Sequence, residues 1–305
     1  MRPVRALLAQ WPLALADDVE GIHQSRVASR RLRELVPVVA GPDDAHEARA
    51  LRRRLRSVTR LLGRSRELDV ALDTLAAIEA RTPAHADAVA AMRAHVVHER
   101  AQAGREVRGR AARVAVDDLA ARTLALAARC ASPAAVRACA RRAEARLGRR
   151  ARELELAVVD AGLMFAPGPL HRVRIALKKF RYALEVAEHL GRFRLGGSMR
   201  RLKRMQDLLG DLHDLQVLGG LARDVMTQAP APERSAIESL VRAVDNEIRE
   251  LHGRFVVERE SVVALLARSA GVRRTLTALP PPDASSLARR AGRRARNRAG
   301  TTEER

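Results

Sequence analysis

Two stretches of this sequence carry the same five-position polar pattern. His23, Arg26, Arg30, Arg31 and Arg33 fit His-x-x-Arg-x-x-x-basic-basic-x-Arg, and His171, Arg174, Lys178, Lys179 and Arg181 fit it again. Neither stretch contains Gly or Pro, which predicts helix interior for both. At about 100° per residue, the His, the +3 Arg, the +7 basic residue and the +10 Arg fall within about 80° of arc. Each helix then presents a cationic stripe headed by an imidazole. Such a stripe suits oxyanions, because the guanidinium fork donates paired hydrogen bonds to phosphate. An imidazole that is neutral near pH 7 tolerates burial beside it. On a single helix a solvated basic face would explain the arginines equally well. Two copies that include a His are harder to obtain from surface drift.

A second pair of stretches follows. Arg49, Arg52, Arg53, Arg56 and Arg60 lie within about 100° of arc on one predicted helix, which runs into Leu62-Gly63-Arg64-Ser65-Arg66-Glu67-Leu68-Asp69-Val70. Later, Arg200, Arg201, Lys203 and Arg204 run into Leu209-Gly210-Asp211-Leu212-His213-Asp214-Leu215-Gln216-Val217. The offset is 148 residues between His23 and His171 and 147 between Gly63 and Gly210. Two motifs recurring at nearly one spacing predict an internal duplication. Four basic stripes on related halves further predict a shared groove, whose closely spaced cations repel and call for a multivalent anion.

The elements that must position these residues are helical. Of 305 residues, 47% are hydrophobic but only 2% aromatic, a composition suited to close-packed helices rather than to β-sandwiches. Lys and Arg total 57 against 36 Asp and Glu, a net charge of +21. Only Lys178, Lys179 and Lys203 are lysines, and all three lie in the basic motifs. Cys130 and Cys139 lack CxxC spacing and read as buried thiols of a reducing compartment. The run Ala6 to Ala16 loosely imitates a secretory signal but is interrupted by Gln10 and Pro12, so a short helix leading into the first motif is expected. No apolar run reaches membrane-spanning length, and a cytoplasmic protein is expected.

Breaks are predicted at Pro37 with Gly41-Pro42, at Pro83, at Gly162 to Pro169, at Gly191 to Gly197, and at Pro230 with Pro232, while residues 84–129 read as a long helix or two, weakened around Gly104 and Gly109. Two more helical stretches run to about Ala270. The linker at Gly162 to Pro169, containing Pro167, Gly168 and Pro169, places a first helical repeat at 1–161 and a second at 162–279. A basic tail at 280–305 has no apolar period, which predicts disorder.

These motif pairs, in this order over roughly residues 4–270, resemble the CHAD domain (conserved histidine α-helical domain). The resemblance implies an all-α fold of two pseudo-symmetric four-helix bundles. It also implies binding of inorganic polyphosphate by His23, Arg26, Arg30, Arg31, Arg33, Arg53, Arg56, His171, Arg174, Lys178, Lys179, Arg181, Arg200, Lys203 and Arg204. The chain departs from the pattern at Arg64 and Arg66, which stand where the second repeat has Asp211 and His213.

Other chemistries find little support. No phosphate loop, GxGxxG, HExxH or GxSxG occurs, so no enzyme and no cofactor is expected. Asp207, Asp211 and Asp214, at i, i+4 and i+7, could hold a divalent cation or could pair with nearby Arg and Lys; pairing is the reading adopted. His95 and His98 lack a third ligand. The principal alternative is a nucleic-acid backbone binder, which the charge permits, although apart from Phe180 and Tyr182 the aromatics, Trp11, Phe165, Phe193 and Phe255, do not interleave with the basic stripes as stacking requires. A third reading is a polyphosphate-processing enzyme, which would need a carboxylate-bound metal.

Overall fold

A computed structural model describes residues 1–191 and 198–276. Among the described residues the chain forms ten α-helices and no strand: α1 Arg2–Leu15, α2 Val19–Val39, α3 Ala45–Leu61, α4 Gly63–Arg81, α5 Ala86–Arg110, α6 Val116–Ala128, α7 Pro133–Ala161, α8 Pro167–His189, α9 Ser198–Met226 and α10 Ala231–Leu276. The expectation of an all-α protein is met.

The helix ends follow from local chemistry. Asp18 caps α2 by accepting the Gly21 N–H at 2.6 Å, and Ser132 caps α7 through the Ala135 N–H at 3.2 Å; each oxygen satisfies a donor the first turn leaves free. Gly162, at φ +60, ends α7 in a conformation that side chains resist.

The helices run further than some expected interruptions. Helix α2 passes through Pro37 and ends at Val39, before the Gly41-Pro42 turn, and the 84–129 stretch is two helices, of which α5 continues through Gly104 and Gly109. The two stretches expected after Pro232 are one 46-residue helix. Single Gly and Pro residues cost a helix about 1–3 kcal/mol, and burial of an apolar face outweighs that locally. Of the Gly191–Gly197 break, 192–197 lie outside the described residues, as does the tail 280–305.

Two large apolar clusters form the interior. One joins α1, α2, α3 and α6 through Leu7, Ile22, Leu32, Leu51, Leu55 and Leu119. The other joins α4, α5, α7, α8, α9 and α10 through Leu75, Met92, Leu154, Phe180, Leu209 and Phe255. The cores therefore do not divide at the 161/162 linker, because α4 and α5 from the first stretch pack with α8–α10. The first crossing occurs at Leu62-Gly63, where α3 stops and α4 starts: Leu62 is buried in the first cluster and Leu68 in the second. Five helices contribute to the first core, α5 through Val107 near its C-terminal end, and six to the second.

Two sets of charged groups are paired inside this interior. Arg100 donates to Asp69 at 2.5 Å and to Asp17 at 2.6 Å, tying α5 to α4 and to the α1–α2 turn. Glu34 on α2 accepts from Arg146 at 2.7 Å and Arg150 at 2.8 Å on α7.

The α1–α2 crossing is close enough to exclude a methyl group. A Cβ at Gly21 would lie 2.7 Å from the Ala14 backbone nitrogen and 2.6 Å from Leu13 Cβ. Gly21→Ala, normally favourable in a helix, is therefore expected to destabilise the fold by about 1–3 kcal/mol. Urea denaturation of the variant checks the sign.

Candidate functional site

The two motif helices meet. Helix α2 packs on α8, with α4 and α9 contacting them from the other side, and the four enclose a cleft of about 730 Å³. Into it the first motif sends His23, Arg26, Arg30 and Arg33, and the second sends His171, Arg174, Lys178 and Lys179. Seven Arg and Lys side chains line the cleft against five carboxylates. One of those, Glu34, is already engaged by Arg146 and Arg150, so positive charge dominates the α2/α8 side.

Local folding sets each cation. Arg26 donates through Nη1 to the Thr59 carbonyl at 2.6 Å, satisfying one of the carbonyls that the end of α3 leaves open. The Ser29 and Thr59 hydroxyls bond at 2.8 Å beside it. The first motif is thereby anchored at the point where α3 gives way to α4. On the other copy, Arg174 faces Asp214 at 3.8 Å.

Burial and mutual repulsion depress the basic groups. Burial, then Arg30, pushes Arg26 down to about 10. Burial, then Arg174, Arg30 and Arg26, pushes Lys178 down to about 7. Arg33, Arg174 and Lys179 are lowered as well, in each case by burial first. The imidazoles follow. Burial and then Arg66 lower His23, burial and then Arg174 lower His171, and His213 falls to about 3 through burial, Arg174 and His171. The His171 and His213 rings lie 5.0 Å apart. At neutral pH these rings are uncharged donors and acceptors. Burial raises Asp214, and it raises Asp211, which Asp207 pushes further. An anion in this volume would reverse the strain on every cation at once.

The expected residues divide. Arg31 and Arg181 leave the cleft, and both bond Glu185, Arg31 at 3.0 Å and Arg181 at 3.2 Å; Arg181 also sits over the Tyr182 ring at 5.1 Å. The Arg31–Glu185 bond joins α2 to α8, and Arg181 steadies Glu185 from within α8. Arg53, Arg56, Arg200, Lys203 and Arg204 are exposed and do not line it. Arg56 is nonetheless the strongest cationic neighbour of Arg33, with Arg52 next to it.

Sequence reasoning missed Arg66, Glu67, Tyr182 and Gln206, which do line the cleft. In the repeat register Arg66 takes the place of His213 and lies beside His23, as His213 lies beside His171. That correspondence, present in the sequence, is the signal that could have found it. Arg64, the other departure, pairs with Glu99 outside the cleft.

Asp207, Asp211 and Asp214 share the α9 wall, and Asp214 is the one that pairs with a motif arginine. Among the described residues, no three His, Cys, Asp or Glu side chains are placed to hold a metal ion. His95 faces Glu99 at 3.6 Å and His98 contacts Gln102 at 2.7 Å, so the two do not converge. Among the described residues, no helix is long and apolar enough to cross a membrane.

Fold and site together define a class: an all-α protein whose paired His–Arg helices wall a cation-rich cleft. The CHAD domain family model matches residues 2–223, most of the chain, and the chain belongs to that family. No curated protein matches the sequence. Among solved structures, PptA from Streptomyces chartreusis is similar with a TM-score of 0.60 at 19% identity, covering 85% of this chain and 95% of its own. The CHAD domain from the plant Ricinus communis is similar with a TM-score of 0.56 at 22% identity, covering 92% of this chain and 90% of its own. At these identities the likeness concerns the fold.

Proposed function

We propose that the protein is a non-catalytic binder of inorganic polyphosphate that holds the chain in the cleft between α2 and α8. The observation that carries this reading is the crowding of Arg26, Arg30, Arg174 and Lys178 around one half-open cleft, where Arg30 and Arg174 weaken their neighbours' hold on a proton. Such a cluster is relieved by a ligand with closely repeated negative charge and no bulk to exclude. Polyphosphate meets both conditions, and recruitment to polyphosphate granules in the cytoplasm would follow. Nucleic-acid backbone offers sparser charge on a far wider body, which suits an open surface better than a cleft.

Competition at near-physiological salt tests the reading. Long-chain polyphosphate is challenged with duplex DNA and RNA at matched phosphate concentration. A polyphosphate preference of at least tenfold, kept when residues 280–305 are removed, is expected. Equal competition by nucleic acid, or loss of binding on removing those residues alone, would overturn it.

Binding should also take up protons. Lys178 holds its proton only up to about pH 7 in the free protein, whereas the unfolded chain holds it to about 10.4. Between these values the unfolded state binds the extra proton, so this group makes the free protein more stable as pH rises through the window and less stable as pH falls toward 7. A bound polyanion favours the charged amine and raises its pKa again. Calorimetry at pH 7.5 in buffers of different ionisation enthalpy is expected to show uptake approaching about one proton per site, diminished in Lys178→Met.

A further inference from the structure

We propose that Cys130 and Cys139 are a reversible oxidation site whose intramolecular disulfide fixes the joint between the two apolar cores. Their sulfur atoms lie 2.8 Å apart, and both are free thiols. Cys130 follows the end of α6 and Cys139 stands in the second turn of α7. Helix α6 packs in the first core, while α7 reaches the second. A bond between them would staple the α6–α7 connection, one of the places where the chain passes between the cores.

The surroundings make this more than two neighbouring thiols. Cys130 donates to the Val39 carbonyl at 3.3 Å. Arg142 donates to the Val38 carbonyl at 2.7 Å and to Cys139 Sγ at 3.2 Å. Val38, Val186 and Leu190 pack against the pair, so the C-terminal ends of both motif helices, α2 and α8, converge on it. The site lies outside the cleft lining and has no part in the proposed binding.

The chemistry separates the two thiols by access and by charge. Cys130 is half-buried and Cys139 buried, so an external oxidant reaches Cys130 first. With a small-molecule disulfide as oxidant, the Cys130 thiol gives up its proton and its sulfur attacks, releasing one small thiolate and leaving a mixed disulfide. Cys139, whose sulfur accepts the Arg142 N–H, then loses its proton, attacks the Cys130 sulfur and releases the second small thiolate. Two protein thiols are oxidised, the small disulfide is reduced to two thiols, and the two protons end on those thiols. Burial pushes the Cys130 thiol up to about 12, which makes the first step slow at neutral pH and faster as pH rises.

The test uses the full chain incubated with oxidised glutathione. Thiol titration of the denatured protein is expected to fall from two groups to none, peptide mapping to link Cys130 with Cys139, and the chain to stay monomeric on non-reducing gels. The thermal midpoint is expected to rise by about 5 °C and to return on reduction. Cys130→Ser, at the more exposed position, and Cys139→Ser should each abolish the rise. Persistence of both thiols, their loss only as glutathione adducts or interchain dimers, or a linked pair with no change in midpoint would each overturn the proposal.

Discussion

Arg30→Glu combined with Lys178→Glu is expected to abolish polyphosphate binding while helicity by circular dichroism persists. Each cation removed deletes a charge-assisted contact of about 1.5–3 kcal/mol, so two removals weaken binding by about 10²–10⁴-fold before the repulsion of the new carboxylates is added. Stability should move the other way. Lys178 is held at about 7 by burial and by Arg174, Arg30 and Arg26, and a carboxylate at position 178 replaces repulsion with attraction to Arg26 and Arg174. A variant that binds less yet melts no lower, measured by titration and thermal unfolding together, separates loss of the site from loss of the fold. Arg200→Glu with Lys203→Glu, on exposed positions outside the cleft, is expected to cost less than tenfold. An equal loss from the two pairs would mean that binding is spread over the surface and would sink the cleft as the site.

The largest effect on stability is expected at Glu34. Its carboxylate accepts from Arg146 at 2.7 Å and from Arg150 at 2.8 Å, and it is 4% exposed, with Arg146 at 7% and Arg150 at 9%. Glu34→Ala leaves two buried guanidinium groups without that partner, and Glu153 engages Arg150. Breaking such a buried arrangement by removing one partner costs about 3–5 kcal/mol, readable as a fall in the urea midpoint. The pH dependence has a definite sign. Burial pushes the Glu34 carboxyl up, but Arg150 and Arg146 outweigh it and leave the pKa lowered. The stability it supplies is therefore complete above the ordinary carboxylate range and disappears as pH falls through the lower folded value. In Glu34→Ala that part of the acid dependence should vanish. Because Glu34 also lines the cleft, polyphosphate affinity in a folded Glu34→Gln variant would show whether Arg146 and Arg150, released from it, join the binding surface.

Much of the site was legible in the chain. Helical phase alone placed His23, Arg26, Arg30 and Arg33 on one face, and all four line the cleft. The repeated pattern likewise selected His171, Arg174 and Lys178. These positions recur at fixed angles along a helix, and an angle is a local property that a sequence carries without reference to any partner.

What the chain alone did not determine is what stands opposite each face. Arg31 and Arg181 obey the motif as well as their neighbours do, yet both turn to Glu185, which is 154 residues from Arg31. Arg66 and Glu67 entered the cleft because α4 crosses at Gly63 into the core formed with α8–α10, a path set by burial of Leu68 and Leu75 rather than by any local signal. Arg200 and Lys203 lie on a basic stretch of α9, and packing turned that stretch outward. Sequence thus determined the helices, their charge and the phase of each stripe. Tertiary structure decided which cations share an enclosed volume, because desolvation and Coulomb coupling depend on distances between helices that no single helix encodes.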